Sequence, residues 1–151
     1  MRIRNILKSE KGFSLVEIAI GVLVVGILIG VVTGGIGMVT KAKIQHESDI
    51  VNTLVTAAHN YENASQTTYT GVSISVLQTG NYLSSTFNST NGNSWGGAYT
   101  VAPNATVNTS VDITIGSVPD APTAAFLTNN FQSLATCVYN TKAQTWTATF
   151  Q

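Results

Sequence analysis

Charge is scarce in this chain. Its 151 residues carry seven Lys and Arg against seven Asp and Glu, with two histidines. A balance of zero spread so thinly excludes a broad basic surface of the kind that grips nucleic acid through its phosphates. Cys137 is the single cysteine, so no intrachain disulfide can staple the fold. An unpaired thiol is ordinarily buried; an intermolecular bridge is the alternative. His46 and His59 stand thirteen positions apart, with no Cys or further His to complete a metal-ligand spacing. No metal and no cofactor are expected. Serine is plentiful, but no nucleophile-elbow pattern occurs and no base or acid can be assigned to one, which points away from an enzyme. Trp95-Gly96-Gly97 is not a phosphate loop, because no Lys follows and no strand precedes it. A structural use of Trp95 as an anchor is the expectation. Four Asn-x-Ser/Thr matches (at Asn63, Asn88, Asn104 and Asn108) arise from composition in a chain so rich in these residues.

What the chain does have is one long apolar stretch. Between Lys11 and Lys41 the only charged residue is Glu17. From Phe13 to Val32 the run is about 20 residues, roughly 30 Å as a helix, which matches the hydrocarbon core of a bilayer. A transmembrane helix over 13–40 follows. Arg2, Arg4, Lys8 and Lys11 precede it, opposed only by Glu10, and set the N-terminus on the cytoplasmic side. Lys41 and Lys43 lie on the far side and oppose this weakly. Beyond Gly12 the chain keeps three bases and six acids, a net charge of −3. Glu17 is the oddity, since a carboxylate at the centre of an inserted helix costs about 3 kcal/mol, less near the interface. Gly26, Gly30 and Gly34 recur four apart, a small-xxx-small face that lets membrane helices approach closely. Gly34, Gly35 and Gly37 cluster beyond the bilayer edge, where the helix should be weakest.

The stretch Lys11-Gly12-Phe13-Ser14-Leu15-Val16-Glu17, leading into that run, resembles the prepilin signature of type IV pilins and pseudopilins. The resemblance covers about thirty residues closely and the remainder by architecture. It implies cleavage between Gly12 and Phe13 by a membrane-embedded prepilin peptidase, which then N-methylates Phe13. It also implies that Glu17 is the acid used in subunit assembly. Physically, cleavage creates an α-amino group near a membrane carboxylate. At 4 Å such a pair attracts by about 4 kcal/mol at an effective dielectric of 20. Pairing of Glu17 with the Phe13 amine of a neighbouring copy would fix the stagger between helices.

Residues 41–63 read as an amphipathic helix. Ile44, Val51, Leu54, Val55, Ala58 and Tyr61 recur at spacings of three, four and seven, with Ile50 on the flank and with Lys43, Glu47 and Asn60 placed away from that face. Joined to the apolar half this makes one helix of about 50 residues, roughly 75 Å long. No soluble domain of this size can cover such a helix along its whole length, which argues independently for lipid first and other copies of the chain afterwards. Residues 64–97 are mostly loop, with a short helix near 73–79 ending before Gly80. Ala98–Ala102 and Ser110–Val118 alternate as strands. Asp120-Ala121-Pro122 opens a helix over Thr123–Ser133 carrying Phe126, Leu127 and Phe131. Leu134–Tyr139 and Gln144–Phe150 form a hairpin across Asn140–Ala143.

The expected fold is α+β: a long N-terminal helix, membrane half plus amphipathic half, packed against a C-terminal antiparallel β-sheet, as in the pilin fold. The expected organisation is a leader at 1–12, an assembly helix at 13–40 and a globular head at 41–151. The expected function is that of a structural subunit of a type IV pilus filament. A type II secretion pseudopilin or a minor pilin priming assembly is the alternative, and a DNA- or ligand-binding adhesive pilin a second. The partners implied are other copies of the chain, the prepilin peptidase and N-methyltransferase, the inner-membrane assembly machinery and the membrane itself. The implied location is the bacterial inner membrane before assembly and an extracellular pilus or periplasmic pseudopilus afterwards.

Overall fold

A computed structural model describes the backbone of residues 15–65 and 68–151, and the side chains of 37–64 and 68–151. The cleavage pair Gly12 and Phe13 lies outside the described residues, as do the side chains and surroundings of Glu17, Gly26, Gly30 and Gly34. The order of elements is α1 (Leu15–Ser65), α2 (Ile74–Thr79), β1 (Tyr99–Pro103), β2 (Val111–Ile115), α3 (Ala121–Phe131), β3 (Ala135–Asn140) and β4 (Thr145–Phe150). The chain divides into two units between Val39 and Thr40; the core described next belongs to the second, Thr40–Gln151. Among the described residues no helix is long and apolar enough to cross a membrane. The apolar run 13–32 behind that expectation lies outside the residues whose side chains are described.

α1 is a single helix of 51 residues. Its buried stripe within the second unit is Ile44, Glu47, Ser48, Val51, Leu54, Ala57 and Ala58. The spacing of three and four is that of one helical face. Val55 and Tyr61, expected on that face, are half-buried at its margins. Full burial of Val51 and Leu54 stabilises the packing by about 1.5–3 kcal/mol each. After the helix, Tyr69, Val72, Ile74, Leu77 and Leu83 continue the core. α2 begins where expected: Ser73 caps it, its hydroxyl accepting from the Val76 amide at 3.3 Å.

The sheet has four strands in the order β1-β2-β4-β3, with every neighbouring pair antiparallel. The register aligns alternate residues into one core face. Tyr99 pairs with Ile115 and Ile115 with Trp146; Val101 pairs with Ile113 and Ile113 with Ala148. β3 and β4 form the expected hairpin, shifted by one residue at each start. The opposite face is threonine-rich. There Thr114 and Thr147 share a hydroxyl bond at 2.8 Å, and the Asp112 carboxylate accepts from Thr149 Oγ1 at 2.6 Å and from Asn104 Nδ2 at 3.0 Å.

β2 neighbours β4 rather than β3, so the chain must leave the sheet and return at its far edge. α3 makes that connection. Asp120 caps it by accepting from the Thr123 amide at 2.8 Å, with proline in the first turn. These contacts hold the Asp120 carboxyl below its usual range, first through its bonds to Thr123. The helix covers Ala121–Phe131, starting and stopping two residues before the 123–133 expected. Of the three apolar residues that the helix carries, Leu127 and Phe131 are buried and Phe126 is 53% exposed. Phe131 meets Trp146 and Phe150 at ring-centroid distances of 5.7 and 5.9 Å, and the Trp146 indole donates to Thr128 Oγ1 at 3.0 Å.

Candidate functional site

The main surprise in the second unit is a carboxylate. Glu47 was expected off the apolar face of α1, yet it is fully buried. One carboxylate oxygen accepts from the Ser94 backbone N–H at 2.7 Å and the other from the Tyr99 hydroxyl at 2.5 Å. Burial of a carboxylate is costly unless it is hydrogen-bonded, and both of its oxygens are. Tyr99 responds in turn: burial, followed by the hydrogen bond and negative charge of Glu47, pushes its phenol far above the ordinary 10.0. Helix α1 and strand β1 are thereby joined through one acid, with the loop before the strand held in the same network.

That loop is folded around Asn93. The Asn93 side-chain oxygen accepts from the Trp95 and Gly97 amides at 2.9 and 2.7 Å, and its amide nitrogen donates to the Gly116 carbonyl at 2.6 Å. Gly96 takes φ +77°, a left-handed conformation that disfavours side chains. Gly97 lies so close to the neighbouring backbone that a Cβ there would run into the Gly116 carbonyl oxygen. Asn93 and the two glycines therefore shape the loop. Trp95, expected to be its anchor, is only half-buried and packs at the margin of the core.

Two further polar ties fasten α1. Ser48 donates to the Ile44 carbonyl at 2.9 Å and accepts from Asn130 of α3 at 2.8 Å. Near the end of α1, the hydroxyl of buried Tyr69 lies 2.8 Å from His59 Nδ1, and Glu62 stands 3.7 Å from the same nitrogen. Burial, followed by Glu62, drives the Tyr69 phenol well above its ordinary value. His59 is thus half-buried within this cluster, while His46 is exposed. Among the described residues no three His, Cys, Asp or Glu side chains gather as a metal-holding group. Cys137, expected to be buried, lies half-buried on β3, and burial raises its thiol pKa. An open groove of about 410 Å³ runs between the end of α1 and α2, walled by Tyr61, Val76 and Tyr82.

The residues picked from the sequence for cleavage, modification or assembly, Gly12, Phe13, Glu17, Gly26, Gly30 and Gly34, lie outside the residues whose side chains are described. Glu47, Tyr99 and Asn93 were not picked. A signal for Glu47 was present in its position: it stands three after Ile44 and four before Val51, on the buried stripe itself. For Tyr99 no comparable local signal exists, since Glu47 is distant in sequence; for Asn93 the signal was an Asn just before a Trp-Gly-Gly turn, whose Trp95 and Gly97 amides it accepts from.

Neither a curated protein nor a solved structure matches the chain. The family model described as PilS N terminal matches residues 41–147, which take in the buried stripe of α1, the loop around Asn93 and nearly all of the sheet. The chain belongs to this pilus-related family, the PilS N-terminal family.

Proposed function

We propose that this protein is a structural subunit of a type IV pilus filament, inserted in the inner membrane by its N-terminal helix, cleaved after Gly12 and N-methylated at Phe13, then polymerised through that helix. The observation that carries the reading is α1. It runs for 51 residues, and its residues in the described core begin only at Ile44. A helix of roughly 75 Å that spends half its length on Val, Ile, Leu and Gly needs a second apolar environment for that half. Lipid supplies it before assembly, and the same half-helices of other copies supply it afterwards. The pilus-related family supports the reading from the other end of the chain.

In this scheme the prepilin peptidase cuts between Gly12 and Phe13 and methylates the new amine. Glu17 then meets the Phe13 amine of the next copy and sets the stagger, while Gly26, Gly30 and Gly34 let the helices approach. The globular unit contributes shape and a weakly charged, hydroxyl-rich surface. Glu17→Gln and Glu17→Leu should both still insert and be processed, yet fail to assemble. Filaments at normal yield from both variants would refute this role. Abundance separates the reading from the pseudopilin and minor-pilin alternative, since a major subunit dominates the sheared surface fraction.

A further inference from the structure

The sheet has two edges, and they are finished differently. On β1 the Tyr99 amide donates to the Ser89 carbonyl at 2.8 Å and not to β2, so the loop before the strand covers part of that edge. Pro103 ends the strand and has no N–H to offer. The core-facing Tyr99 and Val101 are buried. β3 has none of these features. No backbone hydrogen bond joins Ala135–Asn140 to any described segment other than β4. Its core-facing row, Ala135, Cys137 and Tyr139, is only half-buried, and on the opposite face Val138 is 63% exposed.

Open edges are normally blunted by a charge, a proline or a bulge, because a row of unpaired N–H and C=O groups templates another strand. Residues 134–141 hold no charge and no proline, and β3 pairs with β4 residue for residue, without a bulge. The occupant that fits such an edge is therefore an extended backbone. The side chains of β3 say whose. When two identical strands meet antiparallel across a two-fold axis normal to the sheet, each side chain faces a partner on its own side of the sheet. Centred on Val138, the pairing sets Val138 against Val138, Cys137 against Tyr139 and Thr136 against Asn140. Apolar meets apolar, polar meets polar, and no like charges are brought together. Centred on Cys137 instead, Thr136 would face Val138.

We propose that β3 is a docking edge for a second copy of this chain, whose own β3 pairs with it antiparallel about Val138 and joins the two four-stranded sheets into one. Covering Val138 and completing the half-buried row supply the apolar gain, and the open N–H and C=O groups fix the direction. A contact between identical patches closes on itself, so it joins copies in pairs and does not continue as a fibre. In the filament reading above it links subunits of neighbouring filaments, since copies inserted from one membrane all point the same way along a filament. The pairing itself does not depend on that reading.

The test is disulfide trapping in the full chain, purified in detergent and oxidised with diamide. Cys137→Ser combined with Val138→Cys places the only thiol on the axis. Cys137→Ser combined with Thr136→Cys places it two residues off, and the native chain keeps it one residue off. Val138 and Thr136 are exposed, so the fold bears either change, and thermal melts of the reduced chains verify this. Only the axial residue faces its own copy within disulfide reach, so dimer from the Val138→Cys chain should exceed that from the other two roughly ten-fold. Equal linking at all three positions would mean random collision and would overturn the docking edge, as would the absence of dimer from the Val138→Cys chain. Linking that is strongest through native Cys137 would overturn the pairing about Val138. None of these results bears on cleavage after Gly12 or on assembly through α1, which are tested separately.

Discussion

The Tyr99 hydroxyl donates to the Glu47 carboxylate at 2.5 Å across 52 positions of chain, with both side chains buried. This bond, with the Ser94 amide on the other oxygen, ties the helix to the sheet. Glu47→Ala should destabilise the globular unit by about 3 kcal/mol, because it leaves a buried phenol and a buried-side amide without an acceptor. Glu47→Gln keeps the shape and one acceptor, and should cost about 1 kcal/mol. Urea unfolding of the full chain in detergent, followed by tryptophan fluorescence, measures both. Equal losses for the two variants would mean that packing, and not the hydrogen bonds, is what the position supplies.

The raised phenols of Tyr69 and Tyr99 set a pH dependence. Both are held protonated in the folded state, chiefly by burial and then by Glu62 and Glu47 respectively. Above pH 10.0, the ordinary phenol value, the unfolded chain loses these protons and the folded chain keeps them. Stability from these groups is therefore complete below that pH and falls as pH rises beyond it. Tyr99→Phe should lower stability at neutral pH by about 1 kcal/mol and flatten the alkaline loss. Melting temperatures from pH 8 to 11, with phenolate absorbance recorded in parallel, test the pair.

Two glycine substitutions should differ in sign. A Cβ at Gly97 collides with the Gly116 carbonyl, which is backbone, and crowds the Asn93 side-chain nitrogen, which is held by its bond to that same carbonyl. Gly97→Ala should cost about 1–3 kcal/mol by overpacking. A Cβ at Gly37 meets nothing within 4 Å. Gly37→Ala should leave the globular unit unchanged and raise local helix propensity by about 1 kcal/mol. Thermal melts of the globular unit, together with far-ultraviolet dichroism of the whole chain, separate the two effects.

Much of the fold was legible because its signals are local. The run of α1, the Ser73 cap of α2, the Asp120 and proline start of α3, and the alternation through Val111, Ile113 and Ile115 each lie within a few residues of what they specify. Strand order was not legible, since nothing in Thr145–Phe150 announces that it will insert between β2 and β3. The face that α3 buries was not legible either: the helix carries Phe126, Leu127 and Phe131, and burial of Ala124, Leu127 and Phe131 turns Phe126 outward. Glu47 misled for the opposite reason: its polarity outweighed its position on the stripe, and the partners that make its burial tolerable sit 47 and 52 residues away. Trp95 drew attention by its rarity, while the work of the loop falls to Asn93, one of many asparagines.

The most direct measurement is intact mass with N-terminal sequencing of protein sheared from the cell surface. A chain that begins at N-methylated Phe13 and dominates that fraction is the predicted result, and it establishes cleavage after Gly12 together with polymerisation. A chain in wild-type cells that still carries residues 1–12 would contradict the proposal that this protein is a processed pilus subunit.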